Sequence, residues 1–151
     1  LLPFIPAAAR SMVDLGSGAG FPGLVLAILL RDRPEFRTVL YESVGKKAGF
    51  LRQAAITVQT AIEVRNARIE VAAPEPFDVV TARACAPLSK LLGYAQRFQA
   101  SHTTNLLLKG QNAAAELTEA HKSWTMKVVR HPSQTDSSGA ILELRELARV
   151  R

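Results

Sequence analysis

A glycine-rich segment constrains the fold of this chain more than any other feature. Residues 14–23 read Asp-Leu-Gly-Ser-Gly-Ala-Gly-Phe-Pro-Gly, after a short apolar run and before a helical pattern. Glycines lack a Cβ atom, so the backbone can turn sharply there and a ligand can contact it directly. The first turn of the following helix presents free N–H groups to a carboxylate or phosphate. The segment predicts a strand, a ligand-binding turn and a helix, and a turn that binds no ligand is the alternative.

The rest of the chain alternates predicted strands and helices. Apolar spacing and β-branched runs predict five strands, at residues 12–15, 38–42, 62–65, 77–81 and 105–108. Helical patterns cover residues 22–30, 46–58, 87–98 and 113–120. Two further strands, 124–129 and 140–144, flank the polar turn 133–139. This order predicts a single α/β domain over 1–151, with a mostly parallel seven-stranded sheet and a C-terminal antiparallel hairpin.

An acidic residue follows the second predicted strand. In parallel sheets, ligands bind at the carboxyl ends of the strands, near the point where the strand order reverses. Glu42 stands at such an end, where a carboxylate can accept hydrogen bonds from both hydroxyls of a ribose. Together with the glycine-rich turn, Glu42 predicts a site for a cofactor that contains a nucleoside.

Two classes of nucleoside cofactor fit this pattern. Residues 18–23 match G-x-G-x-x-G, which is typical of nicotinamide dinucleotide sites and would indicate an oxidoreductase. However, Asp14 would face a pyrophosphate unfavourably, whereas it suits the ammonium of a methionine moiety. The predicted C-terminal hairpin also differs from the second mononucleotide half of a dinucleotide-binding fold. These observations favour S-adenosylmethionine, and NAD(P) remains the alternative.

Composition and charge exclude several classes of protein. The longest apolar run, Leu24–Leu30, is too short to span a membrane, and a single cysteine excludes an internal disulfide or a cysteine-based zinc site. The three histidines lack metal-ligand spacing, so we expect no metal. A net charge of +6 favours a polyanionic partner. Residues 79–115 contain no acidic residue but four basic ones, Arg83, Lys90, Arg97 and Lys109. Because such a basic segment suits RNA, a non-catalytic RNA-binding module is a further alternative.

Several motifs occur together in a characteristic order. The glycine-rich segment 14–23 is followed, in this order, by Glu42-Ser43-Val44-Gly45-Lys46-Lys47, Phe50-Leu51-Arg52, Arg68-Ile69-Glu70, Arg83-Ala84 and Lys109-Gly110. This combination resembles the bacterial 16S ribosomal RNA guanine-N7 methyltransferases, the RsmG or GidB (glucose-inhibited division protein B) family. The resemblance begins at about Met12 and extends to the C-terminus. It implies a Rossmann-like S-adenosylmethionine-dependent methyltransferase fold and methylation of N7 of a guanosine.

The resemblance also assigns roles to residues. The cofactor-binding residues that we expect are Asp14, Gly16, Ser17, Gly18, Gly20, Phe21, Glu42, Ile69, Glu70 and Arg83. The basic residues of the family's functional motifs correspond to Arg68, Arg83 and Lys109. The implied partner is 16S ribosomal RNA or the small ribosomal subunit, with no membrane, and we expect a cytoplasmic monomer. Only residues 1–10 precede the first strand, so we expect the family's N-terminal helical segment to be absent.

The resemblance implies a reaction without a general base, because guanine N7 carries an in-plane lone pair and no proton. Catalysis would then depend on aligning N7 with the methyl–sulfur bond. Structural roles are the alternatives for the polar residues. Arg83 could pair with Asp14 or Glu70, and Lys109 could be a solvated surface charge. Cys85 is interpreted as a small residue of the core.

Overall fold

The computed structural model describes all 151 residues. The seven strands are β1 Ser11–Leu15, β2 Arg37–Tyr41, β3 Glu63–Arg65, β4 Val79–Arg83, β5 Thr104–Lys109, β6 Trp124–Pro132 and β7 Ala140–Arg149. The four α-helices are α1 Gly23–Leu29, α2 Gly45–Thr57, α3 Leu88–Ala95 and α4 Ala113–Ala120. Every predicted strand and helix is present, with ends that differ by a few residues. No helix of the structure is both long and apolar enough to cross a bilayer.

The strands form one sheet in the order β3-β2-β1-β4-β5-β7-β6. Strands β1 to β5 are mutually parallel, whereas β7 runs antiparallel to both β5 and β6. This confirms the predicted sheet and its C-terminal hairpin. The strand order reverses between the adjacent strands β1 and β4, so the crevice for a ligand is expected at the carboxyl ends of these two strands.

Alternating residues of the central strands support packing on both faces of the sheet. Along β1, Val13 belongs to the core cluster under α3 and α4, and Met12 belongs to the cluster under α1. Leu40 of β2 joins Leu24 and Leu51 in a third cluster, which connects α1 to α2. Because both faces are covered, the ends of the parallel strands are where this sheet can take a ligand.

One detail of the predicted helix packing is wrong. In the helical pattern 46–58, Phe50 falls at helical spacing with Leu51, Ala54, Ala55 and Val58, which predicts that it packs on the sheet, but Phe50 is 55% exposed. The helix packs instead through Ala48, Leu51 and Ala55, which are buried. With 3.6 residues per turn, Phe50 lies about 200° around the axis from Ala48 and therefore faces away from the sheet.

Close packing under the first helix yields a test of the fold. A Cβ atom at Gly23 would lie 2.6 Å from Leu40 Cδ2 and would also overlap the side chain of Asp14. We expect Gly23→Ala to lower the free energy of unfolding by about 1–3 kcal/mol, because the core has no room for a methyl group.

The matched control is Gly49→Ala on α2. No atom lies within 4 Å of a Cβ atom at Gly49, so this change should raise stability by up to about 1 kcal/mol through helix propensity. Urea denaturation of both variants measures the two effects. Equal stabilities would contradict the described packing of α1 on β1 and β2.

Candidate functional site

A cavity of about 250 Å³ lies at the carboxyl ends of β1, β2 and β4. We call it the switch-point cavity. Four of its lining residues were predicted from the sequence: Gly16, Arg68, Ile69 and Glu70. The lining residues that sequence reasoning did not assign are Tyr41, Ser43, Ala67, Cys85, Ala86, Lys90 and Tyr94. The position of Ser43, directly after Glu42 at a strand end, was the available signal for this residue.

The glycine-rich loop contributes bare backbone to this cavity. Gly16 has a φ of +70° and Gly20 a φ of +99°, values that residues with a side chain rarely adopt. A Cβ atom at Gly16 would lie 3.0 Å from Cys85 Sγ, and one at Gly20 would lie 2.8 Å from Leu24 Cβ. Glycine is therefore required at both positions, by conformation and by space.

Glu42 links this loop to the start of α2 by hydrogen bonds. Its carboxylate accepts the N–H of Gly18 at 2.7 Å through one oxygen and the N–H of Val44 at 2.8 Å through the other. Glu42 is 6% exposed and does not itself line the cavity, although its neighbours in the chain, Tyr41 and Ser43, do. An ionised carboxylate has about four lone-pair sites, so two backbone donors leave capacity for further hydroxyl donors.

Asp14 and Ser17 lie beneath the loop and are buried. Asp14 Oδ1 accepts the hydroxyl of Thr81 at 2.7 Å, while Oδ2 is buried without a hydrogen-bond partner. Burial raises the pKa of Asp14 above its ordinary value, although the hydrogen bond from Thr81 opposes this shift. Neither residue lines the switch-point cavity.

A second cavity, of about 390 Å³, lies between the ends of β4 and β5 and the turn of the hairpin. We call it the hairpin-side cavity. Its lining includes Arg83, Lys109 and the turn residues Ser133, Thr135 and Asp136. Residues 83–86 separate the two cavities, because Arg83 and Ala84 face the second, and Cys85 and Ala86 the first.

Arg83 contacts an exposed aromatic ring. Its guanidinium carbon lies 5.7 Å from the ring centroid of Phe21, which is 54% exposed. Arg83 forms no ion pair with Asp14 or Glu70, so the structural pairing considered above is wrong. Phe21 and Arg83 thus lie together outside the switch-point cavity.

Lys109 is a buried partner in an ion pair. Its side chain is 6% exposed, and its Nζ lies 2.7 Å from Oε2 of Glu116. The same ammonium donates to the carbonyl oxygen of Ala86 at 2.9 Å. The interpretation of Lys109 as a solvated surface charge is therefore wrong. Sequence reasoning assigned no role to Glu116, because its contact with Lys109 depends on how α4 packs beside β5.

Cys85 differs from the prediction of a core thiol. It is partly exposed and forms part of the wall of the switch-point cavity. Partial burial raises the pKa of the Cys85 thiol, and the nearby charge of Asp14 adds to this effect.

The family model and the relatives that match this chain all indicate the same family. The model of the GidB family, described as rRNA small subunit methyltransferase G, matches residues 1–144. A relative from Paramagnetospirillum magneticum is 49% identical over 151 residues, covering 100% of this chain and 72% of the relative. One from Rhodospirillum centenum is 51% identical over 148 residues, covering 98% of this chain and 67% of the relative. Both are named Ribosomal RNA small subunit methyltransferase G.

Solved structures share the fold at low sequence identity. The ribosomal protein L11 methylase of Lactobacillus delbrueckii subsp. bulgaricus has a TM-score of 0.68 at 12% identity, covering 96% of this chain and 72% of that one. A chain of the fibrillarin/Nop5p complex has a TM-score of 0.67 at 13% identity, covering 91% of this chain and 72% of that one. These similarities confirm the predicted Rossmann-like methyltransferase fold.

The unpartnered carboxylate oxygen of Asp14 predicts an unusual dependence of stability on pH. Because burial raises the folded-state pKa, the folded chain binds a proton more tightly than the unfolded chain, and stability falls as the pH rises through this window. Asp14→Asn should remove this loss, since a neutral amide oxygen can still accept the hydroxyl of Thr81.

Urea denaturation at a series of pH values measures the effect. We expect the stability advantage of Asp14→Asn to grow as the pH rises from 3.8, the ordinary value for aspartate, and then to level off. A constant difference at all pH values would show that the carboxyl group titrates alike in both states.

Proposed function

We infer the function of this chain from one premise: it belongs to the GidB family, described as rRNA small subunit methyltransferase G. We propose that it transfers a methyl group from S-adenosylmethionine to N7 of a guanosine in 16S ribosomal RNA. The observation that carries this proposal is the family match over residues 1–144, on a chain whose glycine-rich loop borders a cavity at the reversal of strand order. We further propose that it acts as a monomer in the cytoplasm, on 16S ribosomal RNA or the small subunit.

The residues around the switch-point cavity fit S-adenosylmethionine. Gly16 has no side chain, so a ligand can approach its backbone closely. A Cβ atom there would lie 3.0 Å from Cys85 Sγ. Ile69 supplies a buried apolar surface for an adenine, and Ser43 and Glu70 supply polar groups on the rim. Glu42 follows Tyr41 and precedes Ser43, which both line the cavity, and we propose that its remaining lone pairs accept the hydroxyl groups of a ribose.

Glu70 is held by a neighbouring side chain. The hydroxyl of Tyr94 donates to Glu70 Oε1 at 3.1 Å, and the pKa of Glu70 is lowered by a hydrogen bond from its own backbone N–H and, secondly, by this bond. Glu70 is therefore ionised at neutral pH and can accept a hydrogen bond from the cofactor. Arg68 and Lys90 add positive charge to the same rim.

The cofactor supplies an electrophilic methyl group on a positively charged sulfur. The protein's part is to hold the nucleotide so that N7 lies in line with the methyl–sulfur bond. The neighbouring cavities suit this task, since only residues 83–86 lie between them. Neither is lined by a histidine, which agrees with a nucleophile that needs no proton removed.

Arg83 suits the nucleotide better than the cofactor. Methyl transfer moves positive charge onto the guanine, so a cation above the ring would oppose the reaction. The guanidinium lies against Phe21 at the border of the hairpin-side cavity, where it can bind phosphate or guanine O6. We therefore propose that Arg83 orients RNA.

Calorimetry tests the choice of cofactor. Titration with S-adenosylmethionine, S-adenosylhomocysteine and the nicotinamide dinucleotides should give binding of the first two alone. Binding of only the dinucleotides would indicate an oxidoreductase, and binding of RNA alone would indicate a non-catalytic module. Mass spectrometry of nucleosides from treated 16S ribosomal RNA would then identify the methylated atom.

Glu42→Ala tests the cofactor site. This change removes an acceptor for ribose hydroxyls and releases the N–H groups of Gly18 and Val44. We expect the Kd for S-adenosylhomocysteine to rise about 10- to 100-fold, as hydrogen bonds to charged groups contribute about 1.5–3 kcal/mol. Glu119→Gln, at an exposed carboxylate on α4, is the control. An unchanged Kd in Glu42→Ala would remove Glu42 from the cofactor site.

Arg83→Ala tests the site for RNA. Because Arg83 does not line the switch-point cavity, we expect the affinity for S-adenosylhomocysteine to stay near that of the wild type. The kcat/KM for RNA should fall about 10- to 100-fold through loss of charge-assisted hydrogen bonds. Arg31→Ala, at an exposed arginine after α1, is the matched control. Weaker cofactor binding with unchanged kcat/KM for RNA would assign Arg83 to the cofactor instead.

A further inference from the structure

One ion pair, between the buried ammonium of Lys109 and the partly exposed carboxylate of Glu116, joins three elements at the wall of the hairpin-side cavity. Lys109 at the end of β5 bonds to Glu116 of α4 and donates to the carbonyl oxygen of Ala86. Glu116 Oε2 also accepts the N–H of Leu88, the first residue of α3, at 2.6 Å. A single carboxylate oxygen and a single ammonium thus connect β5, α4 and the start of α3.

The segment that this pair holds is residues 84–87, between β4 and α3. Ala84 has a φ of +47°, in the left-handed region that residues with a side chain rarely occupy. Such a conformation persists only where surrounding contacts maintain it. The bond that Lys109 donates to the carbonyl oxygen of Ala86 and the bond that the N–H of Leu88 donates to Glu116 supply such contacts, within the segment and directly after it.

The same segment forms a wall against the glycine-rich loop. Cys85 and Ala86 line the switch-point cavity, and Cys85 Sγ lies 3.0 Å from the position of a Cβ atom at Gly16. There is little free space between the segment and the loop. A displacement of residues 84–87 would therefore change the shape of the cavity next to Gly16.

We propose that Glu116 is a positioning residue, which holds residues 84–87 against the switch-point cavity through Lys109 and the N–H of Leu88. On this account Lys109 also acts through the segment, since two of its three N–H donors are already bonded. The effect on methyl transfer rests on the proposed function, because it requires that this cavity bind S-adenosylmethionine. Removal of the Glu116 carboxylate leaves the buried ammonium of Lys109 without its charged partner.

The chain contains its own reporter for this segment. Cys85 is its only cysteine and is partly exposed, so a change in its rate of reaction with a thiol reagent reports a change in how well residues 84–87 cover the thiol. We expect Glu116→Ala to react at least about tenfold faster than the wild type under native conditions, because it loses the bond from the N–H of Leu88, next to the segment, and the ion pair that positions Lys109 on Ala86. Glu116→Gln should give a smaller increase, since its amide oxygen still accepts the N–H of Leu88.

The control for these variants is Glu119→Gln. Glu119 lies on the same helix, but its side chain is 65% exposed and pairs only with exposed Lys122. This variant should react at the wild-type rate. Urea denaturation of all variants separates local opening from general loss of stability. The proposal is overturned if Glu116→Ala reacts at the wild-type rate, or if the increase equals that expected from global unfolding alone.

A second measurement connects the segment to the cofactor. S-adenosylhomocysteine should slow the labelling of Cys85 in the wild type, and its Kd should rise about tenfold in Glu116→Ala and less in Glu116→Gln. Faster labelling of Glu116→Ala with an unchanged Kd would refute the positioning role. Faster labelling in a chain that binds no S-adenosylhomocysteine would retain the contact between Glu116 and the segment but refute the proposed function.

Discussion

The carboxylate of Glu42 connects the two parts of the chain on which the site depends. One oxygen accepts the N–H of Gly18 in the glycine-rich loop, and the other accepts the N–H of Val44 before α2. Together with the backbone bond from Ser17 to Tyr41, these bonds hold a loop whose backbone adopts positive φ values. The shape of the switch-point cavity therefore depends in part on one carboxylate, placed between β2 and α2.

Sheet topology explains why two cavities lie so close together. The strand order reverses between β1 and β4, and the chain that leaves β4 must pass between the ligand crevice and the hairpin. Residues 83–86 are this part of the chain, and they line both cavities. A methyl donor on one side and a nucleotide on the other would meet across a few residues, which is the geometry that a transfer reaction needs.

Local patterns were sufficient to predict the sheet, the glycine-rich turn and the position of Glu42. These features depend on periodicity and on residues that tolerate special backbone conformations, both of which are visible along the sequence. The exposure of Phe50, the burial of Lys109 and the role of Glu116 depend on how helices pack against the sheet. Sequence reasoning listed Arg83 both with the cofactor residues and with the basic functional residues, and its position beside Phe21 at the hairpin-side cavity could not be read from the sequence.

The most direct test of this account is a crystal structure of the chain with S-adenosylhomocysteine. We expect the nucleoside in the switch-point cavity, with its adenine against Ile69, its ribose hydroxyls on Glu42 and its sulfur directed towards residues 83–86. Electron density for the nucleoside at the hairpin-side cavity, or a switch-point cavity without the compound at saturating concentration, would contradict the account.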